Sequence, residues 1–203
     1  MHQTRRFQTS TLALALLLAG AATCVTACVQ DRQERMKPQP TAQSAGPSSA
    51  KTDLSDANIV ALLAIANQVD IEGGQLAQQK ANSPQVRSYG TRMVADHTSM
   101  LQEGNQVAKQ LMVNPVQPEL GQQMIREHQR AMDALSAKSG EEFDRAYIDH
   151  EIKTHEKVIR LVKEAMNDAD TPQLRQLLLR SRPVLEDHLQ QAQNVKQFLH
   201  ASR

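Results

Sequence analysis

Residues 143–162 read FDRAYIDHEIKTHEKVIRLV, and the spacing of their apolar side chains decides the fold class. At helical spacing one broad face of this segment carries Tyr147, Ile148, Glu151, Ile152, His155, Ile159 and Val162. A carboxylate and an imidazole on a buried face need polar partners, and other helices have to supply them. His97 and His188 also fall on core-facing stripes, so the sequence predicts helices around a polar cluster.

Apolar spacing of three and four residues continues from Asp53 onward, and no convincing period-two run typical of strands interrupts it. The sequence therefore predicts an all-α domain over residues 53–203. Start signals for five helices lie near Ser55, at Ser83-Pro84, near Glu119, at Ser139-Gly140 and at Thr171-Pro172. Long helices joined by short loops favour an up-and-down bundle of four to five helices.

Several local features predict details of these helices. The glycines at residues 73–74 predict either a closely packed neighbour or a bend, because glycine weakens a helix interior. Gly140 suits a left-handed C-cap of the third helix, and Ser139 with Glu142 has capping-box spacing for the fourth. Pro183 removes a backbone donor, so we expect a kink or a break near residues 180–182.

Composition excludes several classes of function. Lys and Arg total 23 against 22 Asp and Glu, so the chain lacks the excess basic charge that a phosphate backbone demands. There is no Trp, with two Tyr and three Phe, which makes base stacking a poor basis for binding and argues against a nucleic-acid partner. Nucleophile motifs, phosphate-binding glycine loops and CxxC pairs are absent from the sequence. The sequence therefore favours a non-enzymatic protein.

The first 27 residues are typical of a secretion signal. Two arginines at residues 5–6 precede an apolar run over residues 12–22, which has the length of a secretory hydrophobic region. The sequence VTAC at residues 25–28 then resembles the lipobox of bacterial lipoproteins, in which Cys28 becomes the lipid-modified first residue. The alternative is ordinary signal cleavage after Ala27, which leaves Cys28 as a free terminal thiol.

The remaining features of the leader predict a location facing the periplasm. Val29 rather than Asp follows Cys28, which resembles the outer-membrane sorting signal of lipoproteins of enteric type. Residues 28–52 are polar and rich in proline, and they predict a disordered tether between the lipid anchor and the domain. Both cysteines precede the domain, so it contains no disulfide, and its only predicted partner is a membrane, through Cys28.

Four segments carry a family resemblance: AIANQVDIEGGQLAQQKA, VRSYGTRMVADHTSM, FDRAYIDHEIKTHEKVI and RPVLEDHLQQAQ. Together they resemble the bacterial envelope family known as domain of unknown function 4142, over roughly residues 54–199. The positions that carry the resemblance are Asp96-His97, Tyr147, His155 and His188-Leu189. The resemblance implies a ferritin-like helical bundle behind a secretion signal, and it implies no specific activity.

Two functions remain open on the sequence. A ferritin-type di-iron site is disfavoured, because no Glu-x-x-His occurs in the chain. A site for one transition-metal ion, with zinc, copper or iron as the cofactor, is a hypothesis, and its candidate residues are His97, His155, His188, Glu151, Asp96 and Asp70. The alternative is an envelope lipoprotein that acts as a binding or stress-related module, in which the same histidines only stabilise the core.

Overall fold

The computed structural model of the chain describes residues 54–201. Its five helices are α1 (Asp56–Lys80), α2 (Pro84–Gln110), α3 (Glu119–Ser136), α4 (Gly140–Asp168) and α5 (Pro172–Ala201). No strand occurs in this part of the chain, so the predicted all-α, ferritin-like bundle is confirmed. The predicted signal (1–27), the tether (28–52) and the lipidation site at Cys28 lie outside the described residues.

The helices begin where the sequence predicts. Ser55 caps α1, because its side-chain oxygen accepts a hydrogen bond from the backbone N–H of Asn58 at 3.3 Å. Pro84 and Pro172 are the first residues of α2 and α5, positions where a missing N–H costs nothing. Gly140 has the left-handed φ of +57°, but it is the first residue of α4 rather than the C-cap of α3.

Two further local features differ from the prediction. Ser139 precedes α4 without a side-chain cap hydrogen bond, so the predicted capping box does not form. The helix α5 continues through Pro183 from residue 172 to residue 201, so of the predicted kink or break the break does not occur. Pro183 and Leu179 are both exposed, and water can therefore hydrogen-bond to the Leu179 carbonyl, which lacks its helical donor.

Buried aspartates secure two of the loops that connect the helices. The Asp144 carboxylate on α4 accepts hydrogen bonds from the backbone N–H groups of Asn82 and Ser83, at 3.0 and 2.7 Å. In the same way Asp56 on α1 accepts from Asp170 and Thr171, at 2.8 and 3.2 Å. Because hydrogen bonds to charged acceptors are stronger than neutral ones, these contacts hold α4 and α1 beside the starts of α2 and α5.

The helices α1 and α2 approach each other closely at a pair of glycines. A Cβ atom added to Gly74 would lie 2.6 Å from the carbonyl oxygen of Gly90, and one added to Gly90 would lie 2.7 Å from the Cβ of Ala77. Only glycine fits at either position without moving the backbone. The closely packed neighbour predicted from residues 73–74 is therefore confirmed for Gly74.

Two apolar clusters fill the bundle. One includes Leu62, Val158, Leu177 and Leu185. The other includes Tyr89, Met93, Tyr147 and Ala192. Three histidines, at positions 97, 155 and 188, lie between the clusters, each near the middle of its helix. Along the chain each is flanked by one residue of either cluster: Met93 and Met100, Ile148 and Val158, and Leu185 and Ala192, respectively. The bundle therefore has a polar layer at its centre.

Within residues 54–201, none of the helices combines the length and the apolar content needed to cross a membrane.

Candidate metal centre

The polar layer brings together three imidazole rings from three helices. His97 lies on α2, His155 on α4 and His188 on α5, and none is more than 1% exposed. Their ring centroids are separated by 5.7, 5.1 and 5.4 Å. One ring nitrogen from each histidine lies within 4.8 Å of one from each of the others. The three histidines that the sequence predicts as ligands therefore lie together in the structure.

A hydrogen bond to an asparagine orients His97. Its Nδ1 lies 2.9 Å from Oδ1 of Asn67 on α1, and Nδ2 of the same asparagine donates to the Leu63 carbonyl at 2.8 Å. Because that second bond identifies Oδ1 as the acceptor, Nδ1 of His97 carries the hydrogen. The lone pair of His97 is therefore on Nε2, which has no hydrogen-bond partner.

The backbone of α4 orients His155. Its Nδ1 lies 3.0 Å from the backbone carbonyl oxygen of Glu151, one helical turn earlier. A carbonyl oxygen can only accept, so Nδ1 is the protonated nitrogen of this ring. The Nε2 atom of His155 carries the lone pair and has no hydrogen-bond partner.

A carboxylate orients His188. Its Nε2 donates to Oδ2 of Asp96 at 2.8 Å, which leaves the lone pair on Nδ1 without a partner. Asp96 is itself held by Arg92, whose Nε donates to Oδ2 at 3.0 Å. A second nitrogen of Arg92 lies 2.7 Å from Asp187, which is 54% exposed. Asp96 therefore acts as an orienting partner for His188.

All three rings are neutral. Burial lowers the pKa of His97 to about 2 and the pKa of His155 to about 4, and their proximity to other imidazoles adds to both shifts. Burial also lowers the pKa of His188, although its bond to Asp96 opposes this shift. Three buried nitrogens therefore present lone pairs at neutral pH with no donor to satisfy them. Such unsatisfied groups are rare in folded proteins and call for a specific cause.

A carboxylate also lies close to each ring. Oδ2 of Asp70 is 3.6 Å from Nδ1 of His97, and Oε2 of Glu151 is 3.7 Å from Nδ1 of His155. Metal-bound histidines in proteins characteristically have such a partner on the nitrogen that does not bind the ion. With Asp96 beside His188, every carboxylate among the six predicted site residues lies next to a histidine of the centre.

Two of these carboxylates belong to a buried compartment of oxygen atoms. We define the carboxylate compartment as Asp70, Glu151, Tyr89 and Tyr147, because all four are buried and, in addition to burial, the two carboxylates raise the pKa of both phenols. Burial raises the pKa of Asp70 from 3.8 to about 8, and it raises the pKa of Glu151 well above its usual value. One ligand atom each of Asp70, Glu151 and His155 lie within 4.8 Å of one another.

Sequence reasoning missed three residues of this centre. Tyr89 lies four and eight residues before Met93 and His97, so helical spacing already places it on their stripe. Arg92 lies four residues before Asp96, the spacing of a helical ion pair. Asn67 had no such signal, because α1 buries apolar side chains around most of its circumference and its polar contacts depend on α2.

The other histidines stay apart from the centre. His128 on α3 is half-buried, and its Nε2 lies 2.9 Å from Oε2 of Glu72 on α1. His200 is exposed near the end of α5. His150 is half-buried, and burial lowers its pKa to about 4. A cavity of about 20 Å³ beside His97 reaches Met100 and Ser181 and has room for about one water molecule.

The three-histidine set fits a metal ion chemically. Neutral imidazole nitrogens suit zinc, copper, iron and nickel, and zinc binds nitrogen at about 2.0 to 2.1 Å. Three nitrogens at that distance from one ion are about 3 to 4 Å apart. The ring nitrogens now lie within 4.8 Å of one another, so binding an ion would require the three rings to move slightly closer together. That these residues bind a metal stays a prediction.

Comparisons with known proteins agree on the family and the fold. A family model described as "Domain of unknown function (DUF4142)" matches residues 39–195. No curated protein matches the sequence significantly.

Two solved structures share the helical fold. One is a DUF305 protein from Streptomyces coelicolor, with a TM-score of 0.63 and 10% identity, covering 73% of this chain and 95% of that one. The other is CopM in the Cu(II)-bound form, with a TM-score of 0.55 and 17% identity, covering 70% of this chain and 96% of that one. At these identities the likeness concerns the fold alone.

Proposed function

This chain belongs to the DUF4142 family of domains of unknown function, and we propose that it is a transition-metal-binding bundle of the cell envelope. His97, His155 and His188 would hold the ion between α2, α4 and α5. Asp96, Asp70 and Glu151 would orient the rings and balance the charge of the ion. The role that follows is storage, sensing or detoxification of a metal rather than catalysis.

One observation carries the proposal. Each of the three rings has one nitrogen in a hydrogen bond, or beside a carboxylate, and the other nitrogen buried without any partner. A purely structural histidine gains stability by satisfying both nitrogens, because an unpaired buried polar group costs about 1 to 3 kcal/mol. Three such groups, on rings whose centroids lie 5.1 to 5.7 Å apart, are costly without a ligand, and a metal ion could accept all three lone pairs at once.

The ligand type narrows the choice of metal. Neutral imidazole favours Zn²⁺, Cu²⁺, Fe²⁺ or Ni²⁺ over Mg²⁺ and Ca²⁺, which prefer oxygen. Affinity rises along the first row to Cu²⁺ and falls again at Zn²⁺. CopM, a structural neighbour, is described with Cu(II) bound, which adds a reason to test copper together with zinc first.

Metal binding by the full chain tests the proposal. The test protein is the full chain with the substitutions Cys24→Ser and Cys28→Ser and without a polyhistidine tag. Neither thiolates nor a tag then compete for the metal. Titration with Zn²⁺ and with Cu²⁺, followed by calorimetry and metal analysis, should give one ion that depends on all three histidines. His97→Ala, His155→Ala and His188→Ala should each weaken that binding at least 100-fold.

Matched surface variants control for nonspecific binding. His128→Ala and His200→Ala remove histidines outside the centre and should leave the affinity unchanged. Circular dichroism and melting of the metal-free variants report whether each one folds. Equal affinity loss in His200→Ala and His155→Ala, or no stoichiometric binding of either metal by the parent chain, contradicts the proposal.

The envelope location rests on the leader sequence. Residues 25–28 read VTAC after an apolar run, and Val29 follows, which supports a lipid anchor on Cys28 and sorting to the outer membrane. Palmitate labelling of the chain that disappears in Cys28→Ser, together with globomycin sensitivity, is the expected result. A chain that is secreted without label contradicts the anchor and leaves the metal centre untouched.

A further inference from the structure

The carboxylate compartment has oxygen atoms that the three-histidine centre leaves unpaired. Asp70 comes from α1, Tyr89 from α2, and Tyr147 and Glu151 from α4, so three helices contribute to it. Their relative exposures are 2%, 3%, 0% and 1%, respectively. Oδ2 of Asp70 and Oε2 of Glu151 have no hydrogen-bond partner, and the Tyr147 hydroxyl lies beside the Glu151 carboxylate. Two buried carboxylate oxygens are thus withdrawn from water without a donor that would compensate them.

No permanent cation balances the two carboxylates. Among residues 54–201, neither Asp70 nor Glu151 forms an ion pair with a lysine or an arginine. The basic side chains beside them are His97, at 3.6 Å from Asp70, and His155, at 3.7 Å from Glu151. Burial lowers the pKa of both histidines, so neither carries a positive charge at neutral pH. Buried carboxylates in proteins are paired, protonated or bound to metal, so a cation is one way to make this compartment favourable.

A glycine keeps room beside the compartment. A Cβ atom added to Gly73 on α1 would lie 3.2 Å from Oε1 of Glu151 and 3.8 Å from the Tyr147 ring. A methyl group at this position would crowd the Glu151 carboxylate. With glycine there, the carboxylate has room to adjust around a ligand. Glycine in the middle of a helix costs about 1 kcal/mol relative to alanine, and the space beside Glu151 is a reason to keep it.

We propose that a second divalent cation, of the class that prefers oxygen ligands, binds between Asp70 and Glu151 beside the three-histidine ion. The two carboxylates supply the charge, and the Tyr147 hydroxyl is available as a neutral oxygen donor. This second site deepens the proposed function and rests on it, because it lies against the same histidines. The bundle would then hold two different metals, one selected by nitrogen and one by oxygen.

His155 does not serve both ions. Its ring belongs to both sets of close ligand atoms, but its Nδ1 donates to the Glu151 carbonyl and only Nε2 is free. We assign that nitrogen to the three-histidine ion. The second ion would therefore be held by oxygen atoms, and Mn²⁺ is the first-row ion that carboxylate sites suit best.

Sequential loading tests the second site. The full chain with both cysteines replaced by serine is first given one equivalent of Zn²⁺ and is then titrated with Mn²⁺. Free Mn²⁺ gives an electron paramagnetic resonance signal in solution that falls as the ion binds. Because Mn²⁺ lies below Zn²⁺ in affinity for a given site, it does not displace Zn²⁺ from the histidines. We expect one Mn²⁺ per chain. In the double variant Asp70→Asn, Glu151→Gln, whose Zn²⁺ content is verified by metal analysis before Mn²⁺ is added, Mn²⁺ should bind at least tenfold more weakly.

Two further variants keep the result interpretable. Tyr147→Phe preserves the ring packing and should weaken Mn²⁺ binding, and it serves if the double variant fails to fold. Glu72→Gln, a change at a half-exposed carboxylate on the same helix as Asp70, should bind Mn²⁺ like the parent chain. No Mn²⁺ binding to the Zn²⁺-loaded parent, or equal binding in the double variant, overturns the second site.

The same titrations separate the two proposals. Zn²⁺ bound with no Mn²⁺ refutes the second site and leaves the three-histidine centre standing. If no Zn²⁺ binds while the metal-free chain takes up Mn²⁺ that is lost in the double variant, the proposed function fails and the oxygen site stands alone.

Discussion

His188 on α5 donates a hydrogen bond from Nε2 to the Asp96 carboxylate on α2, and the two atoms are 2.8 Å apart. This contact fixes which nitrogen of His188 carries the lone pair. It also joins two helices at the level of the centre, and Nε of Arg92 donates to the same oxygen, Oδ2 of Asp96, at 3.0 Å. The geometry of the metal centre therefore depends on a residue that does not belong to the three-histidine set.

Asp96→Asn should weaken metal binding without removing a ligand. The amide can still accept a hydrogen bond but has lost its charge, so it holds the His188 ring less firmly and makes Nδ1 a weaker donor to the metal. Loss of such an orienting partner typically costs about 10- to 100-fold in metal affinity. Competition with a zinc-specific fluorescent chelator measures the change.

Asp187→Asn is the matched control for that variant. Asp187 also pairs with Arg92, at 2.7 Å, but it is 54% exposed and the arginine lies between it and the centre. Its affinity should stay within about twofold of the parent chain, because exposed ion pairs contribute only about 0 to 1 kcal/mol. An equal loss of metal affinity in Asp96→Asn and Asp187→Asn would contradict a direct role of Asp96 in orienting His188. It would mean that both aspartates act only by positioning Arg92.

Metal affinity should resist acidification. Burial lowers the pKa of His97 to about 2 and that of His155 to about 4, and it lowers the pKa of His188 as well. Protons therefore compete with the ion far below pH 6.5 at His97 and His155, and below pH 6.5 at His188. Three solvent-exposed histidines would lose about 1000-fold in affinity at pH 5.5, since each would be about nine-tenths protonated. We expect less than a tenfold loss for Zn²⁺ between pH 7 and pH 5.5, and a loss near 1000-fold would contradict the burial of the centre.

Asp70 should make the metal-free fold less stable as the pH rises. The unfolded chain ionises this carboxyl near pH 3.8, whereas burial raises its pKa in the folded chain to about 8. Between these values the folded state binds more protons, so the contribution of Asp70 to stability is present at low pH and falls as the pH rises. Asp70→Asn removes this dependence, because its amide does not titrate.

Urea denaturation with a chelator present measures that effect. The stability of Asp70→Asn relative to the parent chain should increase steadily from pH 4 to pH 8. The difference reports Asp70 together with its effect on Glu151, because burial raises the pKa of Glu151 and the Asp70 charge raises it further. Asp187→Asn, an exposed change, should show a flat difference over the same range. A flat difference for Asp70→Asn would show that this carboxyl ionises normally in the fold.

The close approach of α1 and α2 predicts opposite effects of two glycine substitutions. A methyl group at Gly74 would lie 2.6 Å from the Gly90 carbonyl oxygen, so Gly74→Ala should destabilise the fold by about 1 to 3 kcal/mol. Gly104 on α2 has its nearest such neighbour at 4.0 Å, so Gly104→Ala should stabilise by up to about 1 kcal/mol through helix propensity. Urea midpoints give both values, and a stabilising Gly74→Ala would refute the close contact.

Much of the fold could be predicted because its signals are local. Ser55, Pro84 and Pro172 begin helices through their own backbone and side-chain chemistry, which the sequence displays directly. Pro183 does not break α5, because the effect of a proline inside a helix depends on its surroundings. Here the carbonyl that loses its donor is on the exposed side of α5.

The site could be predicted only in part. Helical stripes placed His97, His155 and His188 on buried faces, but the sequence does not give the depth of each along the bundle. The helix lengths and loops align them at mid-length, and only the folded structure shows this alignment. Asn67 was missed for the same reason, since its partner is thirty residues away and on another helix.

X-ray absorption spectroscopy of the Zn²⁺-loaded chain tests the central claim most directly, because it reports the atoms bound to the metal. The sample is the full chain with the substitutions Cys24→Ser and Cys28→Ser, loaded with one equivalent of Zn²⁺. We predict three nitrogen neighbours at about 2.0 to 2.1 Å with the outer-shell scattering of imidazole rings, reduced in His188→Ala and unchanged in His200→Ala. A zinc environment of oxygen atoms without imidazole scattering would contradict the three-histidine centre.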